Sequence, residues 1–264
     1  MTAQELLHQS KPQEALNRLQ SDIKQQPGNA SLRLGLFQLL ATSGRWDRAI
    51  VQVQTAVSLE PKYAPLAMLL RSLVELEQVR VAVFTGQREP EIFGPKPKWL
   101  ETLLEKRWTA NVRRKSEVGR AYGKALKDAP ACAGRIDGRR FEWLADADAR
   151  FGPLIELYLQ GNYYWLPFEC IARIDIEPPR DLQDLIWIQA RVTWANGGMV
   201  VGHIPARYPG TEQSSDSQLV LARTVAWEEI GHGGHIGTGV RVLSTDEGDY
   251  PLTTVRTIEF DARS

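Results

Sequence analysis

The chain has 264 residues, 43% hydrophobic and 24% charged, a globular composition long enough for one large domain or two ordinary ones. Lys+Arg and Asp+Glu number 32 each, so no net charge draws the chain to nucleic acid or to an acidic membrane face. No apolar stretch reaches the roughly 18 residues of a spanning helix, because Ala64–Phe84 is interrupted by Arg71, Glu75, Glu77 and Arg80; neither nucleic-acid binding nor membrane insertion is expected. Two cysteines, Cys132 and Cys170, make no disulfide framework. With no signal peptide, the expected location is the cytoplasm, with both thiols reduced.

Ala3–Gln9 reads as a short helix broken at Lys11–Pro12, and Pro12 sits at the first position of the next helix, where proline is tolerated. Over Gln13–Gln26 the apolar residues Ala15, Leu16, Leu19 and Ile23 share one face until Pro27–Gly28–Asn29 stops the helix. Ala15–Leu16 recurs as Ala49–Ile50 and Pro27 recurs as Pro61, each at an offset of 34 residues, the period of tetratricopeptide helical hairpins. Ala49 supplies the small residue where two helices cross, Gly44 ends the first helix of its pair, and Pro61 closes the second. The aromatic signature of the repeat is absent apart from Phe37 and Trp46.

A third unit begins at Ala64. Phe84–Trp99 then inserts Gly86, Pro90, Gly94, Pro95 and Pro97, which predicts a loop. Trp99–Arg107 and Asn111–Lys127 resume helical spacing as a degenerate hairpin capping the array, and Arg113–Arg114–Lys115 reads as a solvated helix face. Stacked hairpins leave a curved inner surface that suits extended or helical peptides. On the usual repeat geometry that surface is offered by Leu34, Gln38 and Ala41 from the second unit and by Met68, Ser72 and Glu75 from the third, the candidate partner-binding residues. Leu34 and Met68 read equally well as packing residues between units.

Helical periodicity stops within Gly134–Glu169. Gly134 and Gly138 bracket a tight turn, Phe141 and Trp143 present two large aromatics, and Pro153–Leu159 and Tyr163–Phe168 read as a hairpin across Gln160–Gly161–Asn162. Ile171–Glu177 alternates up to Pro178–Pro179, and Leu185–Trp194 with Met199–Ala206 makes a second hairpin. Leu219–Ala222 reads as a short helix or strand. Thr224–Glu229, His235–Val242 and Thr253–Phe260 complete about seven short strands, which suggest a bent antiparallel sheet or partly closed barrel. The expected fold class is α+β: an all-helical module over residues 1–130 and a β-rich module over 131–264, with no strand of the first paired into the sheet of the second.

No constellation reads as an active site. His232 and His235, with His203 elsewhere, lack further ligands at a recognised spacing, so no metal is expected. Asp146 and Asp148 do acid–base work only in a pocket that separates their pKa values; Asp146 capping a turn and Asp148 pairing with Arg150 is the simpler account. The glycines between Gly231 and Gly239 precede a strand-like run, whereas a phosphate cradle requires a helix N-terminus. No cofactor is expected.

The stretches GRIDGRRFEWLADADARFGP and YYWLPFECIARIDIEPPRDLQDLIW, followed by PARYPG and LSTDEGDYPL, resemble the ImpE family, also called SciE or TagJ. The resemblance extends to the N-terminal helices, to VFTGQREP at Phe84–Pro90 and to the Trp99 helix. It implies a non-catalytic, cytoplasmic adaptor of bacterial type VI secretion. Such an adaptor engages an N-terminal helix of the small contractile-sheath subunit and thereby influences how the AAA+ disassembly ATPase meets the sheath. Family membership brings no catalytic motif with it. Two alternatives stay in view: a metal-dependent hydrolase with its metal near His203, His232 and His235, and a generic peptide-binding scaffold.

Overall fold

The structure is a computed structural model that describes residues 1–105 and 115–262. Helix α1 (Ala3–His8) opens with a capping box in which Thr2 and Glu5 exchange side-chain-to-backbone hydrogen bonds. In α2 (Pro12–Gln25) the apolar face Ala15, Leu16, Leu19 and Ile23 is buried. Asn29 caps α3 (Ala30–Thr42) by accepting from the Leu32 N–H, and Gly44, in the left-handed region, turns the chain into α4 (Trp46–Leu59). Ala15 and Ala49 are fully buried, as close helix crossings require. These are the tetratricopeptide-like hairpins expected.

The third unit departs from the repeat further than its sequence suggests. No Gly or Pro interrupts Leu66–Phe84, so α5 (Ala64–Phe84) runs for 21 residues as one helix and no second helix of that unit forms. Beyond it, the loop carries β1 (Glu91–Ile92), which pairs in parallel with Tyr164 and Trp165 of the later sheet. That overturns the expectation that no strand before residue 130 joins the C-terminal sheet. The physical reason lies next to the strand: Phe93 stacks on Trp194, centroids 3.9 Å apart and planes within 9°, while its N–H donates to the Trp165 carbonyl at 3.0 Å. Two residues of strand are too few to leave an alternating signal.

Helices α6 (Lys98–Glu105) and α7 (Lys115–Asp128) pack together. The expected helix ends at Arg107 and Asn111, and Arg113–Arg114 of the basic run, lie outside the described residues. The expected cap of the array is corrected in part, because α7 lies against the β10 (Val225–Gly231) and β11 (Gly234–Gly239) hairpin. Gly119 makes that approach possible: a Cβ there would stand 2.2 Å from the Gly231 carbonyl oxygen.

Among the described residues thirteen strands follow residue 130, against about seven expected. In chain order they begin with β2 (Gly134–Ile136), β3 (Arg139–Phe141), β4 (Leu144–Asp146), β5 (Leu154–Leu159), β6 (Asn162–Pro167) and β7 (Ile171–Ile176). Then come β8 (Trp187–Trp194), β9 (Met199–Pro205), the short helix α8 (Ser217–Val220), β10, β11, β12 (Val242–Thr245), β13 (Gly248–Pro251) and β14 (Thr257–Phe260). The unforeseen strands have three or four residues each, too short to show period-2 patterning. Nine strands form one sheet in the order β1-β6-β5-β9-β8-β7-β14-β2-β3, antiparallel except at β1; β13-β12-β4 and β10-β11 form two smaller sheets. Two-residue turns with positive φ, Asp137–Gly138 and Gln160–Gly161, close the β2–β3 and β5–β6 hairpins.

The central sheet separates two cores. On one face Phe151, Leu154, Tyr158, Trp165 and Trp187 pack with the helices in a single cluster. On the other, Ile155, Leu157, Ile174, Val192 and Ile258 pack within the β half. Every residue of β5 is buried, as expected of a strand covered on both faces.

Candidate partner-binding surface and the charge cluster beneath it

Positions 34 and 68 are repeat equivalents on α3 and α5, whose starts are tied by the Ser31 and Tyr63 hydroxyls 3.4 Å apart. Met68 is 75% exposed and its neighbour Leu69 39%, an unusual presentation for apolar side chains on a helix that buries five others. Leu34 and Gln38 are half-buried on α3, and Ser72 is half-buried on α5. Glu75 is exposed and pairs with Arg71 at 3.0 Å. Ala41 is fully buried, so it is a core residue and cannot line a binding surface.

The reason Ala41 is lost to the surface is that the chain covers that end of α3 itself. The Leu182–Leu185 turn packs on α3, Trp187 lies 5.8 Å from Trp46, and the Arg207 guanidinium donates to the Thr42 carbonyl at 2.8 Å. What stays open is the N-terminal half of the α3 and α5 surface.

Where α5 meets the sheet, four arginines and four carboxylates are buried together: Arg80, Arg150, Arg207 and Arg241 with Glu77, Asp146, Asp148 and Glu156. Arg80 grips Glu156 with two parallel bonds of 2.7 Å and donates to the Arg207 carbonyl at 2.9 Å. Glu156 also accepts from Tyr163 and Arg241. Glu77 accepts from the Tyr158 hydroxyl and the Trp187 indole, each at 2.9 Å. Asp148 pairs bidentately with Arg150, as the sequence suggested, and accepts from the Gly237 N–H at 2.7 Å.

Asp146 accepts from the Asp148 N–H and from the Tyr208 hydroxyl, each at 2.9 Å, so it does cap a turn. Burial pushes its carboxyl up to about 7, opposed by Arg241 and reinforced by Asp148. Burial likewise lowers Arg241 to about 10, and its guanidinium lies 4.4 Å from the centre of the Phe151 ring. Among the described residues, Asp146 Oδ2 and Arg241 Nε have no hydrogen-bond partner and face each other at 3.5 Å. This cluster ties helices to sheet. Sequence reading passed over it, although Glu77 and Arg80 within the apolar face of α5 and Glu156 inside LIELYL were its visible signal.

The aromatics of the Gly134–Glu169 stretch divide. Phe141 is fully buried, Tyr164 is half-buried edge-on to Phe93, and Trp143 is 41% exposed beside Leu126 and Pro130 in an apolar cleft of about 310 Å³. His232 occupies the β10–β11 turn, His235 begins β11, and His203 pairs with Tyr158 and Gln189 in the central sheet. Among the described residues no three His, Cys, Asp or Glu side chains are grouped to hold a metal ion, and no helix is long and apolar enough to cross a membrane.

Residues 138–259 match the protein family described as ImpE protein, and residues 6–73 match a tetratricopeptide repeat family. The chain is 37% identical over 262 residues to the type VI secretion system accessory component TagJ of Pseudomonas aeruginosa, covering 99% of this chain and 92% of that one. The crystal structure of protein VPA1032 from Vibrio parahaemolyticus has the same fold, with a TM-score of 0.87 over 99% of this chain and 98% of that one at 24% identity.

Proposed function

Because this chain belongs to the ImpE (TagJ) family of type VI secretion accessory components, we propose that it works as a non-catalytic cytoplasmic adaptor whose helical half holds a helix of a sheath protein. The ligand in this reading is the N-terminal helix of the small sheath subunit, and holding it modulates access of the AAA+ disassembly ATPase. The observation that carries the reading is Met68, 75% exposed on α5 at the repeat position equivalent to Leu34. An amphipathic helix needs apolar walls for its stripe and a few polar groups to set its register. Met68 and Leu34 supply the first, Gln38, Ser72 and the rim residue Glu75 the second.

The test is calorimetry with a synthetic peptide of the sheath-subunit helix. Met68→Asp should weaken binding by about 1–3 kcal/mol, the range for an interface anchor, with the fold unchanged because the side chain touches little of its own protein. The exposure of Trp143 in its apolar cleft supports a second location for the same ligand. Full affinity in folded Met68→Asp, with loss in Trp143→Ala, would move the site there.

A further inference from the structure

Beside the β10–β11 turn, α7 carries a feature that the adaptor reading leaves unused. Arg120, Lys124 and Lys127 follow one another at i, i+4 and i+7, so they lie along one face of the helix, and all three are exposed. They line a cleft of about 460 Å³ whose remaining walls are the bare helix at Gly119 and Gly123, Asp128, and His232 from the β10–β11 turn. Among the described residues none of the three cations has an ion-pair partner. In a chain with no net charge, three cations against one carboxylate in the cleft wall, Asp128, and one a turn before Arg120, Glu117, are a local excess of positive charge.

The cleft is shaped by its glycines. Gly119 lets the turn come against the helix, since any Cβ would strike the Gly231 carbonyl, whereas a Cβ at Gly123 would meet nothing within 4 Å. Gly123 therefore leaves open floor between the cations and the turn. Gly231, His232 and Gly233 all have positive φ, and this tight reversal holds the His232 ring at the rim.

We propose that this cleft is a docking surface for an acidic segment of a protein partner, with carboxylates spaced to meet Arg120, Lys124 and Lys127 in turn. Charge complementarity selects the occupant: the cleft offers three cations and one carboxylate. Exposed ion pairs are individually weak and screened, so binding here is salt-dependent and rests on several contacts at once. The surface is separate from the Met68 groove.

The experiment is fluorescence anisotropy on the full chain with a labelled alanine-based helical peptide bearing glutamates at i, i+4 and i+7. A matched lysine peptide, inorganic phosphate and a single-stranded oligonucleotide are tested alongside. The glutamate peptide is expected to bind, with affinity falling about tenfold between about 50 and about 300 mM salt, and to lose binding in Lys124→Glu/Lys127→Glu. That variant should bind the lysine peptide instead, which shows that it is folded and that charge is what the cleft reads. Met68→Asp should bind the glutamate peptide as the unaltered chain does, so failure of the groove reading and failure of this one are distinguishable. Equal binding of both peptides, or unchanged affinity in the double variant, would overturn the proposal. So would displacement by phosphate at equal concentration, which would mark a small-anion site, or tighter binding of the oligonucleotide through the same lysines.

Discussion

Asp146 shows how little a residue's type says before its surroundings are known. In Ala-Asp-Ala-Asp-Ala it is one of two similar carboxylates, yet in the fold Asp148 is fully answered by Arg150 and Gly237, while Asp146 Oδ2 faces Arg241 at 3.5 Å without a hydrogen bond. Folding raises the Asp146 carboxyl from its ordinary 3.8 to about 7. Between those values the folded state holds a proton that the unfolded state has released, so the contribution of Asp146 to stability falls as pH rises through that window. His203 acts in the opposite sense, since burial lowers its imidazole and its contribution is lost as pH falls. Denaturant unfolding measured from pH 4 to 8 should therefore show a slope that is altered in Asp146→Asn, in the direction of greater relative stability at the alkaline end. Parallel pH curves for the two proteins would show that Asp146 titrates normally.

At the scale of elements, contacts that span the two halves decide which segments hold together. Helix α7 packs on the β10–β11 hairpin because Gly119 has no side chain, and the Gly231 carbonyl occupies the space a Cβ would need. Alanine is the better helix former by about 1 kcal/mol, yet the clash is with backbone that cannot rotate away. Gly119→Ala should thus destabilise the protein by about 1–3 kcal/mol, the range for overpacking, read as a lower denaturant midpoint. It should also make the β10–β11 turn sensitive to protease. A raised midpoint would mean that the turn gives way easily and that helix propensity wins. Much of this level was visible beforehand. The hairpins of β5–β6 and β8–β9 and the 34-residue repeat follow from turn chemistry and period, which act within a few residues, whereas β1 and β12–β13 depend on what lies beside them.

Over the whole molecule, the helical and β halves share one core, and the buried charges lie across their junction. Glu156 is the hub: it answers Arg80 and Arg241 at once and accepts from Tyr163. Removing one member of such a cluster leaves buried charge uncompensated, so Glu156→Ala should cost about 3–5 kcal/mol. Because both halves depend on it, helical circular dichroism and tryptophan fluorescence should shift together in that variant. Loss of the fluorescence transition at unchanged helical midpoint would show instead that the helices stand alone.

By itself the sequence determined the α+β class, the tetratricopeptide-like period, the longer hairpins and the family to which the motifs point, since each rests on local spacing, propensity or a contiguous motif. Only the tertiary structure decided that Ala41 is core while Met68 is exposed, that α5 continues where a repeat would turn, and that Glu77, Arg80, Glu156 and Arg241 converge. The reason is distance along the chain. Arg80 and Glu156 are 76 positions apart, and whether a charged residue faces water or an opposite charge is settled by which surfaces the apolar residues bring together, a choice made by the folded chain as a whole.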